Sequence, residues 1–163
     1  MVSSMTGERR LLVLGIGNTL LSDEGAGVHA VRRLQASANG RDGIEYLDGG
    51  TLSFTLAGPI EASDAVLVID AAELGAEPGS VRVFEGEEMD AFVGAGGKKS
   101  VHEVGLHDLM AVAALAGRLP ERRALIGIQP QELGWGDAPS ARVADGIDRA
   151  CAQAQEIIER WLP

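Results

Sequence analysis

A chain of 163 residues is long enough for one well-packed domain and short for two. Hydrophobic residues make up 45% and aromatics only 4%, so Ala, Val, Leu and Ile supply the core of an ordinary α/β composition. The formal charge of -10 argues against nucleic acid and anionic membranes as partners, since either demands a basic face.

The single cysteine, Cys151, excludes an internal disulfide and fits a reducing compartment. No N-terminal stretch joins basic residues to an apolar core, and no apolar run approaches the ~20 residues a membrane helix needs. A cytoplasmic location is expected. Residues 1–10 read as a loose tail and 11–163 as one domain.

Leu11 to Leu14 is a continuous apolar run, as in a strand covered on both faces. Gly15 and Gly17 turn the chain at its carboxyl end, and Asp23 and Glu24 follow just before Val28, Val31 and Leu34, which recur at helical spacing. The helix fades near residues 37–40. Ile44 to Leu47 reads as a second strand ending in Asp48-Gly49-Gly50-Thr51, where Thr51 is placed to cap a helix through Leu52, Phe54 and Leu56 toward Pro59. Ala65 to Ile69 is the clearest strand, closed by Asp70.

Val81 to Phe84 alternates, which predicts an edge strand, and residues 86–92 suit a short helix. The glycine- and lysine-rich segment 94–100 is a loop that leads to His102. Leu106, Leu109, Met110, Ala113 and Ala114 predict a helix over about 105–117, and Ala124 to Ile128 a last buried strand. After a loop around Trp135, the residues Val143, Ile147, Cys151, Ala154, Ile158 and Trp161 mark one face of a closing helix. The order β, α, β, α, β, β, α, β, α implies one three-layer α/β domain.

Glu24, Asp70 and His102 stand at three separate connections. Two carboxylates and one imidazole suit a borderline divalent metal with positions left open for ligands from another molecule. Each acid also has a structural reading, Glu24 as a helix-dipole partner and Asp70 as a cap. His29 and His107, both within predicted helices, read as surface or packing residues. A dinucleotide fingerprint would need glycine where Leu20 stands, and Asp23 and Glu24 would repel a pyrophosphate. No G-x-S-x-G elbow and no H-E-x-x-H occurs.

Leu14-Gly-Ile-Gly-Asn18, Leu20-Leu-Ser-Asp-Glu-Gly-Ala-Gly27, Leu47-Asp-Gly-Gly-Thr51, Val68-Ile-Asp-Ala71, Ser100-Val-His-Glu-Val-Gly105 and Ile126-Gly-Ile-Gln-Pro130 resemble the successive signatures of the nickel-iron hydrogenase maturation proteases. The resemblance covers about residues 11–160. It implies a twisted, mostly parallel five-stranded sheet flanked by helices, of the phosphorylase/hydrolase-like kind. It also implies a metal-assisted or aspartic-type endopeptidase that removes the C-terminal extension of a [NiFe] hydrogenase large-subunit precursor after nickel insertion. By that resemblance Glu24, Asp70 and His102 are the metal-contacting residues, with Glu24 and Asp70 catalytic, and Asn18, Asp48, Gly49, Gly50 and Thr51 contact substrate. Nickel arrives with the precursor, and no permanently bound metal is implied. Glu103 departs from the family's usual neutral residue and is expected to raise the pKa of His102. The segment 94–99 and the Trp135 loop fall in regions that vary within the family and are expected to select the precursor.

Two other readings stay open at this stage. One is a nucleotide- or cofactor-binding α/β module using Gly15, Gly17 and Asp48, with NAD or a flavin as ligand. The other is a hydrolase of small peptides with a tightly held metal of its own.

Overall fold

The structure is a computed structural model that describes residues 9–38, 41–95 and 105–163. Five strands form one sheet in the order β2-β1-β3-β5-β4: β1 Leu11–Ile16, β2 Ile44–Gly50, β3 Ala65–Ala71, β4 Val81–Glu85 and β5 Arg122–Ile128. All pairings are parallel except that of β4 with β5. The helices are α1 Ala26–Ser37, α2 Ala57–Glu61, α3 Glu87–Gly94, α4 Leu106–Leu115 and α5 Ala141–Trp161.

Strand alternation sorts the core into two layers. Leu11, Val13, Leu67, Ile69, Ala124 and Ile126 face α1 and α5, whose Val31, Leu34, Val143, Ile147, Ala154 and Ile158 close that side. Leu12, Leu14, Val66, Val68 and Leu125 face the other way, onto α2, α3 and α4 through Ile60, Met89, Leu109 and Ala113. A strand whose residues are apolar in both directions has to be covered on both faces, and β1 is buried at every position. The sheet is therefore the middle of three layers, as the sequence implies.

Local chemistry explains where the boundaries differ from expectation. β3 continues through Asp70 and Ala71, because these pair in register with Gly127 and Ile128. Asp70 lies inside the strand, not after it. β2 likewise runs on through Asp48 to Gly50, beside Gly15 and Ile16 of β1. Thr51 caps nothing. A 3-10 turn, Phe54–Leu56, leads into α2 after Ser53, and Pro59 sits within the first turn of α2, where its missing N–H costs no bond. The segment after β4 forms a helix of its own, α3, tied to β5 by a paired contact of the Arg123 guanidinium with the Asp90 carboxylate at 2.8 and 2.6 Å. That fork lowers the pKa of Asp90.

Arg9, just before β1, and Pro163, just after α5, line one cleft with Arg41 and Trp161 beneath the amino ends of the strands. No described helix is long and apolar enough to cross a membrane. The loose tail expected over 1–10 falls mostly outside the described residues.

Candidate active site at the carboxyl ends of β1 and β3

From β1 the chain crosses to β2 on one side, and the later strands β3, β5 and β4 all lie on the other. Where the strand order reverses, adjacent connections leave on opposite faces and open a crevice. After β1 the chain goes to α1 on one face, and after β3 it goes to β4, α3 and α4, whose helices lie on the other. Glu24 stands at the first of these exits and Asp70 at the second.

Two glycines bring the exits together. Gly17 has φ +140, and a Cβ there would lie 1.9 Å from the Glu24 carbonyl oxygen, so only glycine lets the turn fold back on the end of β1. A Cβ on Gly27 would lie 2.1 Å from the Ile69 carbonyl oxygen and 2.5 Å from that of Ile16. The start of α1 thus rests directly on β1 and β3, one residue from Asp70. The glycine faces that a nucleotide phosphate would approach at Gly17 are covered by this chain's own backbone at Glu24 and Gly25.

Asp23 and Glu24, adjacent in sequence, have different surroundings. Asp23 is fully buried and accepts hydrogen bonds from the backbone N–H groups of Gln131, Glu132 and Ser140 and from the Ser140 hydroxyl, at 2.7 to 2.9 Å. Burial pushes its pKa up, but these donors outweigh it and hold the carboxyl below its ordinary value. Ser22, in a left-handed conformation at φ 51, donates its N–H to the Gly136 carbonyl and its hydroxyl to that of Gly134. Together these bonds clamp the 131–140 loop to the turn. Glu24 is only partly buried, at the edge of the crevice.

Asp70 is 7% exposed, and strand alternation turns it toward α3 and α4. It lines a small cavity of about 60 Å³ with Glu73, Phe92, Val93 and Leu106. Gln129 braces the same exit: its side-chain oxygen accepts from the Leu74 N–H at 2.7 Å, and its amide donates to Glu73 at 3.1 Å. Sequence reasoning noted Gln129 only within a motif and missed this role, although a polar residue straight after an apolar strand signals it. His102 and Glu103 lie outside the described residues, as does most of the 94–99 segment. Among the described residues, no three His, Cys, Asp or Glu side chains are grouped to hold a metal ion.

The expected substrate segment lies at the neighbouring strand end. Asn18, Asp48, Gly50 and Thr51 line a cleft of about 260 Å³ with Gly17, Thr19, Leu20, Val28 and Arg32. Asp48 accepts from Arg32 at 3.0 Å and from the Gly50 N–H at 2.9 Å, which fixes the glycine turn. The Asn18 side chain accepts from the Leu20 N–H. Gly49 packs instead toward Leu14 and Leu56 of the core. His29 is half-buried on α1, and burial, then Arg32 and Arg33, lower its pKa. His107 is exposed in the first turn of α4. A larger cleft, about 590 Å³, lies at the opposite edge between arginines and acids and includes none of these residues.

The hydrogenase maturation protease family model matches residues 28–159. The HupD hydrogenase expression/formation protein of Rhizobium leguminosarum bv. viciae is 39% identical over 153 residues, covering 93% of this chain and 75% of the relative. The hydrogenase maturating endopeptidase HybD of E. coli superimposes with a TM-score of 0.87 at 31% identity, over 94% of both chains. The [NiFe] hydrogenase maturation protease HybD of Thermococcus kodakarensis gives 0.75 at 32%, over 91% of this chain and 98% of its own. With the fold, the crevice and these likenesses in agreement, the chain belongs to the hydrogenase maturation protease family and is an endopeptidase that processes a hydrogenase large-subunit precursor.

Proposed function

We propose that the crevice between β1 and β3 reads nickel in the precursor and cleaves the peptide bond beside it, removing the C-terminal extension of a [NiFe] large subunit. Glu24, Asp70 and His102 contribute ligands to the nickel that the substrate carries. The ion polarises the scissile carbonyl, and the carboxylate oxygen of Glu24 or Asp70 left unbound by it takes the proton of the attacking water. The Asn18, Asp48, Gly50 and Thr51 cleft receives the extended chain beside the bond. Metal-assisted hydrolysis of this kind needs no metal bound to the free enzyme.

The observation that carries this reading is the packing of Gly27 on the Ile69 carbonyl, which sets the Glu24 turn against the strand that bears Asp70. Leu106, which lines the same cavity as Asp70, follows His102 by four residues in the sequence.

The test is the mass of the large-subunit precursor after incubation with this protein, with nickel loaded and without. Loss of a C-terminal fragment in the loaded sample alone is expected. Glu24→Gln, Asp70→Asn and His102→Ala should each slow it by at least about a hundredfold. Equal cleavage of nickel-free precursor would overturn the recognition role, and full activity in all three variants would overturn the site.

A further inference from the structure

Six large hydrophobic side chains are exposed among the described residues, and three of them lie on the clamped loop or the turn bonded to it: Trp135 at 85%, Leu20 at 58% and Leu133 at 53%. The backbone brings two of them together. Leu21 forms a parallel bridge with Gly136, and the Gly136 N–H donates to the Leu20 carbonyl, so Leu20 and Trp135 take neighbouring positions. The Asp23 N–H donates to the Glu132 carbonyl at 2.9 Å, and the Asp23 carboxylate holds both ends of the loop. A loop fastened by this many bonds, with its tryptophan in water, has a preformed apolar surface and little left to lose in ordering.

We infer that Leu20, Leu133 and Trp135 form a shelf that docks the folded body of the large-subunit precursor, beside the cleft that receives its extension. The inference rests on the proteolytic reading above. Two observations select this occupant. The shelf is continuous with the catalytic turn, since Leu20 also lines the Asn18–Asp48 cleft and stands four residues before Glu24. Leu133 and Trp135 both stand exposed to solvent, so the shelf is open and suits an apolar patch on a folded surface, whereas a single peptide side chain needs a concave pocket. Exposed carboxylates of Glu132 and Asp137 flank the tryptophan, so the facing patch carries basic residues at its rim. Trp135 is the anchor, because a tryptophan desolvated at the centre of an interface commonly dominates its binding energy.

The chain contains two tryptophans, Trp135 in solvent and Trp161 buried at the far end of α5, so labelling both with 5-fluorotryptophan gives a reporter and an internal reference. Adding unlabelled nickel-loaded precursor should move the Trp135 fluorine resonance and reduce its solvent isotope shift, with the Trp161 resonance unchanged. A synthetic peptide of the extension alone should move neither. Trp135→Ala and Leu133→Ser should raise KM for the precursor about tenfold with kcat within twofold, while Leu115→Ala, equally exposed on α4, changes nothing. An unmoved Trp135 resonance, or an unchanged KM in both shelf variants, during normal cleavage would overturn the shelf and leave the proteolytic reading intact. A shift without cleavage would support the shelf and sink that reading. Neither shift nor cleavage would overturn both.

Discussion

Neighbouring acids at the first turn have opposite surroundings. Asp23 is fully buried, and among the described residues every donor that reaches its carboxylate comes from the 131–140 loop, so its charge organises protein and is closed to substrate. Replacing it with Asn keeps the volume but turns an amide N–H toward donors, and should cost about 2–4 kcal/mol by urea unfolding near neutral pH. Because its folded pKa is depressed below the ordinary 3.8, the stability it contributes is complete above that value and is lost as pH falls through the lower folded one. The variant should therefore lose less stability than the parent between pH 5 and pH 2, and parallel acid limbs would count against the assignment. Sequence alone could list Asp23 and Glu24 as a pair, since both precede the helix. Their division depends on a loop more than a hundred residues later, which no local pattern encodes.

At the scale of elements, the site is set by how α1 meets the sheet. Gly27 lets that helix touch the carbonyls of Ile16 and Ile69, and Gly27→Ala places a methyl 2.1 Å from the latter. The helix must back away, at about 3 kcal/mol or more of stability. Cleavage should fall further than stability explains, because Glu24 moves with the helix start while Asp70 stays in its strand. A variant that unfolds earlier yet cleaves at the parental rate below its transition would refute this. The strands and long helices were legible in the sequence because continuous apolar runs and the Val143–Trp161 face carry clear periods. The ends of β2 and β3 were not, since Asp48 and Asp70 look like strand terminators and only their pairing with Gly15 and Gly127 extends the ladder. Thr51 failed as a cap for a related reason: Gly50 is still in the strand, so the helix begins later, after Ser53.

The whole molecule is polarised along the strands. Glu24, Asp70, the Asn18–Asp48 cleft and the Trp135 loop all gather toward their carboxyl ends, and the two halves of that crevice come from opposite faces of one sheet. The topology follows from parallel strands joined by helices, and the expected crevice follows from the topology. The amino-end edge is where Arg9 and Pro163 share a cleft. A short linker across that cleft, with new ends opened at the exposed turn between Gly117 and Arg118, would produce a circular permutant whose every crevice residue keeps its neighbours. Such a permutant should fold and trim precursor at close to the parental rate, because chain continuity at that edge has no part in the chemistry at the other.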